Sequence, residues 1–263
     1  MLKVFLDRGA KRDSTDEIIA VAATVFKPLR YKQFVRPWNR MLRGWGASAF
    51  HATDFYNGAG VFKRDSQSKR ERFEKDSKII PKLVGKPAEN ILIVAARPEE
   101  LLRAAPPGWK EQFGTSVHSL GVQMCLISMG WWAEKHHFNE RFAYFRESGD
   151  EDDSEVASTV ERMRHGDADT ARMIRVSSFT HVAKGLTRGT EASDFVAWHW
   201  NKYYMDKIRK GDAGNPRKDF AALAAASEKK IRYIFLTGDY LTFFFSCTWR
   251  KVFEATHENA EFI

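Results

Sequence analysis

Four strand-length apolar runs punctuate this chain: Leu2–Asp7 (LKVFLD), Ile18–Phe26 (IIAVAATVF), Ile91–Ala96 (ILIVAA) and Arg141–Glu147 (RFAYFRE). The segments between the later runs are long enough for helices and carry helical periodicity. Such alternation constrains the fold strongly. It predicts an α/β protein with a mixed sheet flanked by helices. The first two runs are joined by a short polar segment, Gly9–Asp16, and read as a hairpin.

The helical segments differ in character. From Lys27 to Arg43, the apolar residues Leu29, Phe34, Trp38, Met41 and Leu42 recur at near-helical spacing. Between them lie Arg30, Lys32, Arg36, Arg40 and Arg43, with no acidic residue from Ile18 through Thr53. This is a basic amphipathic helix, expected to break or start irregularly near Pro37. FHATDFYNG (Phe50–Gly58) reads as a loop or helix start. Further helices are expected over Ser66–Val84, from a cap at Thr115 to about His136, over Ser154–Arg164 and from Thr190 to about Arg209. Ile174–Phe179 reads as an edge strand, and FLTGDYLTFFF as a hairpin through Gly238-Asp239. No linker divides the chain, so residues 1–263 read as one domain with helical insertions.

Composition narrows the class. With 263 residues and 43% hydrophobic content, the chain can bury a core without staples. Cys125 and Cys247 are too few for a disulfide scaffold or a cysteine-based zinc module, and both read as buried. Asp7 and Arg8 interrupt the apolar start, and no stretch has the length of a membrane helix. A cytoplasmic setting without membrane contact is expected. The net charge of +8 points, weakly, to a polyanionic partner such as DNA or RNA.

The placement of the carboxylates is more specific. Asp7 and Glu147 end strands; Asp194 lies in the first turns of a helix, with Glu191 three residues earlier on the same face. Strand ends are where open α/β sheets carry sites. Gathered carboxylates repel one another unless a cation neutralises them, and hard ions such as Mg²⁺ or Mn²⁺ suit them. Two such ions about 3.5–4 Å apart can activate water and stabilise a leaving oxygen in phosphodiester cleavage. The bland alternatives, turn formers and helix-dipole partners, stay open from spacing alone.

Three short motifs also resemble a family. VFLDRG with the strand after it, FHATDF and TEASDFVAW resemble, in order, the opening strand and Asp turn, the Phe-His element and the late helix motif of the domain of unknown function 3800 family. The resemblance implies a ribonuclease-H-like fold and a carboxylate site for divalent ions. By position it carries Asp7, His51 and Asp194 over, with Glu147 as the middle-strand acid. Arg8 stands where that family usually has glutamate, and Glu191 where it has glutamine.

The accessory candidates are His51 with Asp54, Asp150 in the acidic stretch after Glu147, and His181. Arg30, Lys32, Arg36, Arg40 and Arg43 would grip phosphates, as would Lys63–Lys86 with nine basic against four acidic residues. Tyr31, Trp38 and Trp45 would stack on bases. The expected function is a nuclease with Mg²⁺ or Mn²⁺ at Asp7, Glu147 and Asp194, and Glu191 as an added ligand or supporting group. The alternative is an inactive relative that binds nucleic acid or a protein partner.

Overall fold

The computed structural model describes residues 1–9, 18–108, 116–210, 217–228, 230–239, 241–242 and 261–262. Seven strands form one sheet: β1 (Leu2–Arg8), β2 (Ile19–Phe26), β3 (Asn90–Ala96), β4 (Phe142–Glu147), β5 (Val176–Val182), β6 (Ile231–Leu236) and β7 (Glu261–Phe262). Their order is β5-β4-β1-β2-β3-β6-β7. The expected hairpin is present, since β2 runs antiparallel to β1 and to β3. β4 lies parallel to β1 on its other side and β5 parallel to β4. The sheet is mixed and flanked by helices, as the alternation of runs predicts.

Nine helices are described: α1 (Pro28–Trp45), α2 (Ala52–Asn57), α3 (Gln67–Gly85), α4 (Pro98–Ala104), α5 (Val117–Lys135), α6 (Asp153–His165), α7 (Ala168–Ile174), α8 (Arg188–Lys210) and α9 (Lys218–Ser227). Alternation along the strands sorts them into two layers. Val4, Leu6, Val21 and Leu92 meet residues of α5, α6 and α7 in one core. Phe5, Ala20, Ala22 and Ile93 meet α1, α2, α3, α8 and α9 in the other. α5 is buried nearly all round, which explains its apolar sequence.

Several expectations change. α1 runs unbroken through Pro37, because Phe34, Trp38, Met41, Leu42 and Trp45 are all buried on one face and hold it. Trp38 is a core residue, Trp45 donates to Asp76 at 2.9 Å, and Tyr31 stacks on Phe5. Trp38 and Trp45 are packed inside and do not present faces for bases, whereas Tyr31 is half-buried, with Phe5 stacked on it and Lys3 5.0 Å from its ring centre. Ser116, not Thr115, caps α5, accepting from the Ser119 N–H; Thr115 lies outside the described residues. Gly238-Asp239 belongs to a helical turn closed by Leu241 N–H to Thr237 oxygen at 2.8 Å, not to a hairpin. Most of the Gly9–Asp16 turn, Phe243–Phe245 and Cys247 also lie outside the described residues. Cys125 is buried and free, its thiol pushed up by burial.

Candidate active site

β1 and β4 set the first two acids side by side. Leu6 pairs with Arg146, so Asp7 and Glu147 are the next residues along two parallel strands. Phe5 stacks on Phe145 at 5.2 Å beneath α8, and alternation sends Asp7 and Glu147 to that same face. Leu6, Arg8 and Arg146 have the opposite parity.

α8 brings the third acid. It crosses close above β1 because small residues recur every fourth position: Gly189, Ser193 and Ala197. A methyl on Gly189 would run into the Phe5 ring, and one on Gly9 into the Ala197 carbonyl. Ser193 donates to the Phe5 carbonyl, and the next residue, Asp194, faces the strand end. The Asp194 carboxylate accepts from the Ala52 N–H at 2.6 Å, which ties it to the start of α2.

Asp7, Glu147 and Asp194 line one cavity of about 570 Å³ with Glu191, Asp150 and His51. Arg8, Lys184 and Lys202 also line it. Among the described residues, none of Asp7, Glu147 and Asp194 forms an ion pair. Burial, then Asp194 and Glu147, raises the Asp7 carboxyl well above its ordinary range. Burial raises Glu147, opposed by Lys184. Burial also raises Asp194, with His51 pulling it down. Three carboxylates that disfavour charge together are a donor set suited to a hard divalent ion. The donor types of Asp7, Glu147 and Asp194 suit such an ion, although among the described residues their carboxylate oxygens do not all come within 4.8 Å of one another.

Glu191 is committed elsewhere. One oxygen accepts from the Trp38 indole at 2.5 Å and the other from Arg188 at 2.6 Å. It fastens α8 to α1 at the cavity wall. His51 precedes α2, 3.9 Å from Asp54, which does not itself line the cavity. His181 also stands off the cavity, 3.7 Å from Asp153.

On the other face lies a network that sequence reasoning missed. Arg146 is 1% exposed and donates to Asp150 and Asp152 at 2.9 Å each, and to Asp153. His118 lies 2.7 Å from Asp152. Among the described residues, His118, Asp150 and Asp152 are the trio with possible metal-donor atoms within 4.8 Å of one another. Arg146 already supplies the positive charge there, so this trio needs no metal to balance it. The only advance signal was an arginine inside an apolar strand.

The five basic residues singled out on α1, namely Arg30, Lys32, Arg36, Arg40 and Arg43, are all exposed and lie outside the cavity lining. Asn201 and Trp198 were not foreseen as cavity residues. Trp198 stacks on Tyr56 at 4.6 Å, with Arg217 and Lys202 over its ring.

No family model and no curated protein sequence matches this chain. Among solved structures, a ribonuclease H2 from Pyrococcus horikoshii OT3 is similar over 84% of this chain and 83% of that one. The two are 12% identical, with a TM-score of 0.39. In this chain β1 has β2 antiparallel on one side and β4 parallel on the other, with β5 parallel beyond β4. No helix among the described residues is long and apolar enough to cross a membrane.

Proposed function

We propose that this protein is a metal-dependent nuclease that hydrolyses phosphodiester bonds of DNA or RNA. The observation that carries the reading is the cavity at the β1 and β4 ends. Three carboxylates from β1, β4 and α8 share it with no ion pair among the described residues, beside basic side chains. The order of the motifs that resemble the domain of unknown function 3800 family supports the same reading.

Asp7, Glu147 and Asp194 would hold one or two Mg²⁺ or Mn²⁺ ions. A bound ion would supply Lewis acidity, making water more acidic and offsetting charge on the phosphate. The chain's own residues do the rest. Lys184, Lys202 and Arg8 line the cavity and would bind phosphate oxygens. Ala52 N–H and Ser193 orient Asp194 through its own carboxylate and its helix. Trp38 and Arg188 fix Glu191 in a supporting role. The exposed bases of α1 would extend the grip on the strand outside the cavity.

Incubation of the purified chain with labelled DNA and RNA, with Mg²⁺, Mn²⁺ or EDTA, tests the reading. Cleavage should need the metal. The Asp7→Asn/Asp194→Asn pair should lose more than the roughly 10–100-fold that outer-shell changes cost at metal sites. Cleavage that survives in the double variant overturns it. One observation favours binding without catalysis: Arg8, next to Asp7, is paired with Asp150. That alternative predicts salt-sensitive binding with no metal-dependent cleavage.

A further inference from the structure

The cavity's five carboxylates fall into two sets. Asp7, Glu147 and Asp194 have no ion-pair partner among the described residues. Asp150 and Glu191 already hold guanidinium groups. Asp150 is saturated from two sides, with Oδ1 2.8 Å from Arg8 and Oδ2 2.9 Å from Arg146. Arg146 is itself locked by Asp152 and Asp153. Arg8 therefore sits on a fixed counter-charge at the cavity wall, one residue from Asp7. The planar guanidinium fork carries five N–H donors, so one anion does not exhaust it.

A second feature of the cavity points to a ligand. Asn201 is 8% exposed and lines the same space, and its Oδ1 has no hydrogen-bond partner among the described residues. A buried amide oxygen of this kind costs free energy unless something fills the site.

We infer that Arg8 is a resident cation that replaces one of the two divalent ions of a two-ion phosphodiester site. The chain then binds a single divalent ion, which would draw the Asp7, Glu147 and Asp194 carboxylates closer together than they stand in the structure, and Arg8 supplies the second positive charge to the phosphate. This rests on the nuclease reading and sharpens it. A second ion near Asp150 would have to displace both arginines, whereas the unpaired set lies open.

Counting bound Mn²⁺ on the full chain, by electron paramagnetic resonance of the free ion and without nucleic acid, tests it. Wild type should bind one Mn²⁺ and Asp7→Asn/Asp194→Asn none. Arg8→Glu, which turns the resident cation into a further carboxylate, should bind two. Arg8→Gln guards against misfolding of that variant. It should keep one ion and bind it roughly three- to tenfold more tightly, because a nearby positive charge is gone. Two ions on wild type, one ion on folded Arg8→Glu, or unchanged affinity in Arg8→Gln would overturn the role of Arg8 and leave the nuclease reading standing. No Mn²⁺ on wild type would overturn both.

Discussion

The hydroxyl of Ser193 donates a hydrogen bond to the backbone carbonyl of Phe5 at 2.7 Å. It also lies 2.7 Å from the Thr24 hydroxyl, so one side chain of α8 is fastened to both β1 and β2. Asp194 follows Ser193 directly, and Asp7 is two residues beyond Phe5 on the same strand face. This bond is the register pin between the two buried acids. Ser193→Ala should cost about 1–2 kcal/mol, since the Thr24 hydroxyl loses a buried partner. Urea unfolding measures the loss, and metal affinity should fall with it. Undiminished metal binding would mean that packing alone sets the register.

Gly189 works with Ser193 four residues on. A methyl there would collide with the Phe5 ring, which cannot swing away because Tyr31 stacks on it at 4.9 Å and Phe145 at 5.2 Å. Gly189→Ala should destabilise the protein by about 1–3 kcal/mol, the usual cost of overpacking, against the gain normally expected for alanine in a helix. A neutral or stabilising result in denaturant unfolding would show that the helix can lift off β1 freely.

Arg146 faces the other layer and balances three aspartates at once. Replacing it with Met leaves those charges facing one another. Removing one partner of a fully buried pair costs about 3–5 kcal/mol, but these aspartates keep some solvent contact, so about 2–3 kcal/mol is expected. A thermal-melt series in salt should show the deficit shrinking as ionic strength rises. A salt-independent deficit would assign it to lost packing instead.

Much of this was legible in the sequence because apolar runs announce strands. The β1–β2 hairpin, β3 and β4 follow from that, as does the placing of Asp7 and Glu147 at strand ends; that β1 and β4 are neighbours is set by the sheet order and not by any local pattern. The sequence reading misplaced features where long-range packing outweighs a local signal. Pro37 reads as a break, but the buried faces of Phe34 and Trp38 carry α1 through it. Gly238-Asp239 reads as a turn, yet Leu241 bonds back to Thr237 in a helical turn. The acidic run Asp150–Asp153 reads only as an acidic patch, with Asp150 as an accessory candidate. Its real partners are Arg146, on a strand, and His118, 34 residues before Asp152, and no local pattern links them.

His199 gives the fold an acid limit. It is 1% exposed among Tyr56, Phe195 and Trp198, and neither ring nitrogen has a hydrogen-bond partner. Burial, and to a smaller extent Arg217, pushes its pKa down to about 3. The unfolded chain binds this proton near the ordinary value of about 6.5, so stability falls as pH drops below that point. The slope should reach about 1.4 kcal/mol per pH unit from this group, and it persists until the folded pKa is reached. His199→Leu should flatten the melting profile between pH 6.5 and 3 relative to wild type. An unchanged acid slope would move the effect to other groups.

Lys32, Arg36, Arg40 and Arg43 stand at spacings of four, four and three on α1, and all four are exposed. Helical geometry lines them up as one stripe opposite the buried Phe34 and Trp38. If this stripe holds the nucleic-acid backbone, each lost contact removes about 0.7–0.9 from the slope of log affinity against log salt. Arg36→Ala/Arg40→Ala/Arg43→Ala should lower that slope by about 2–3 and weaken binding alike for all sequences, while the melting temperature stays near wild type. Salt titrations of binding in EDTA, where cleavage is off, measure it. A slope equal to wild type would assign nucleic-acid contact to Lys184 and Lys202 at the cavity instead of to α1.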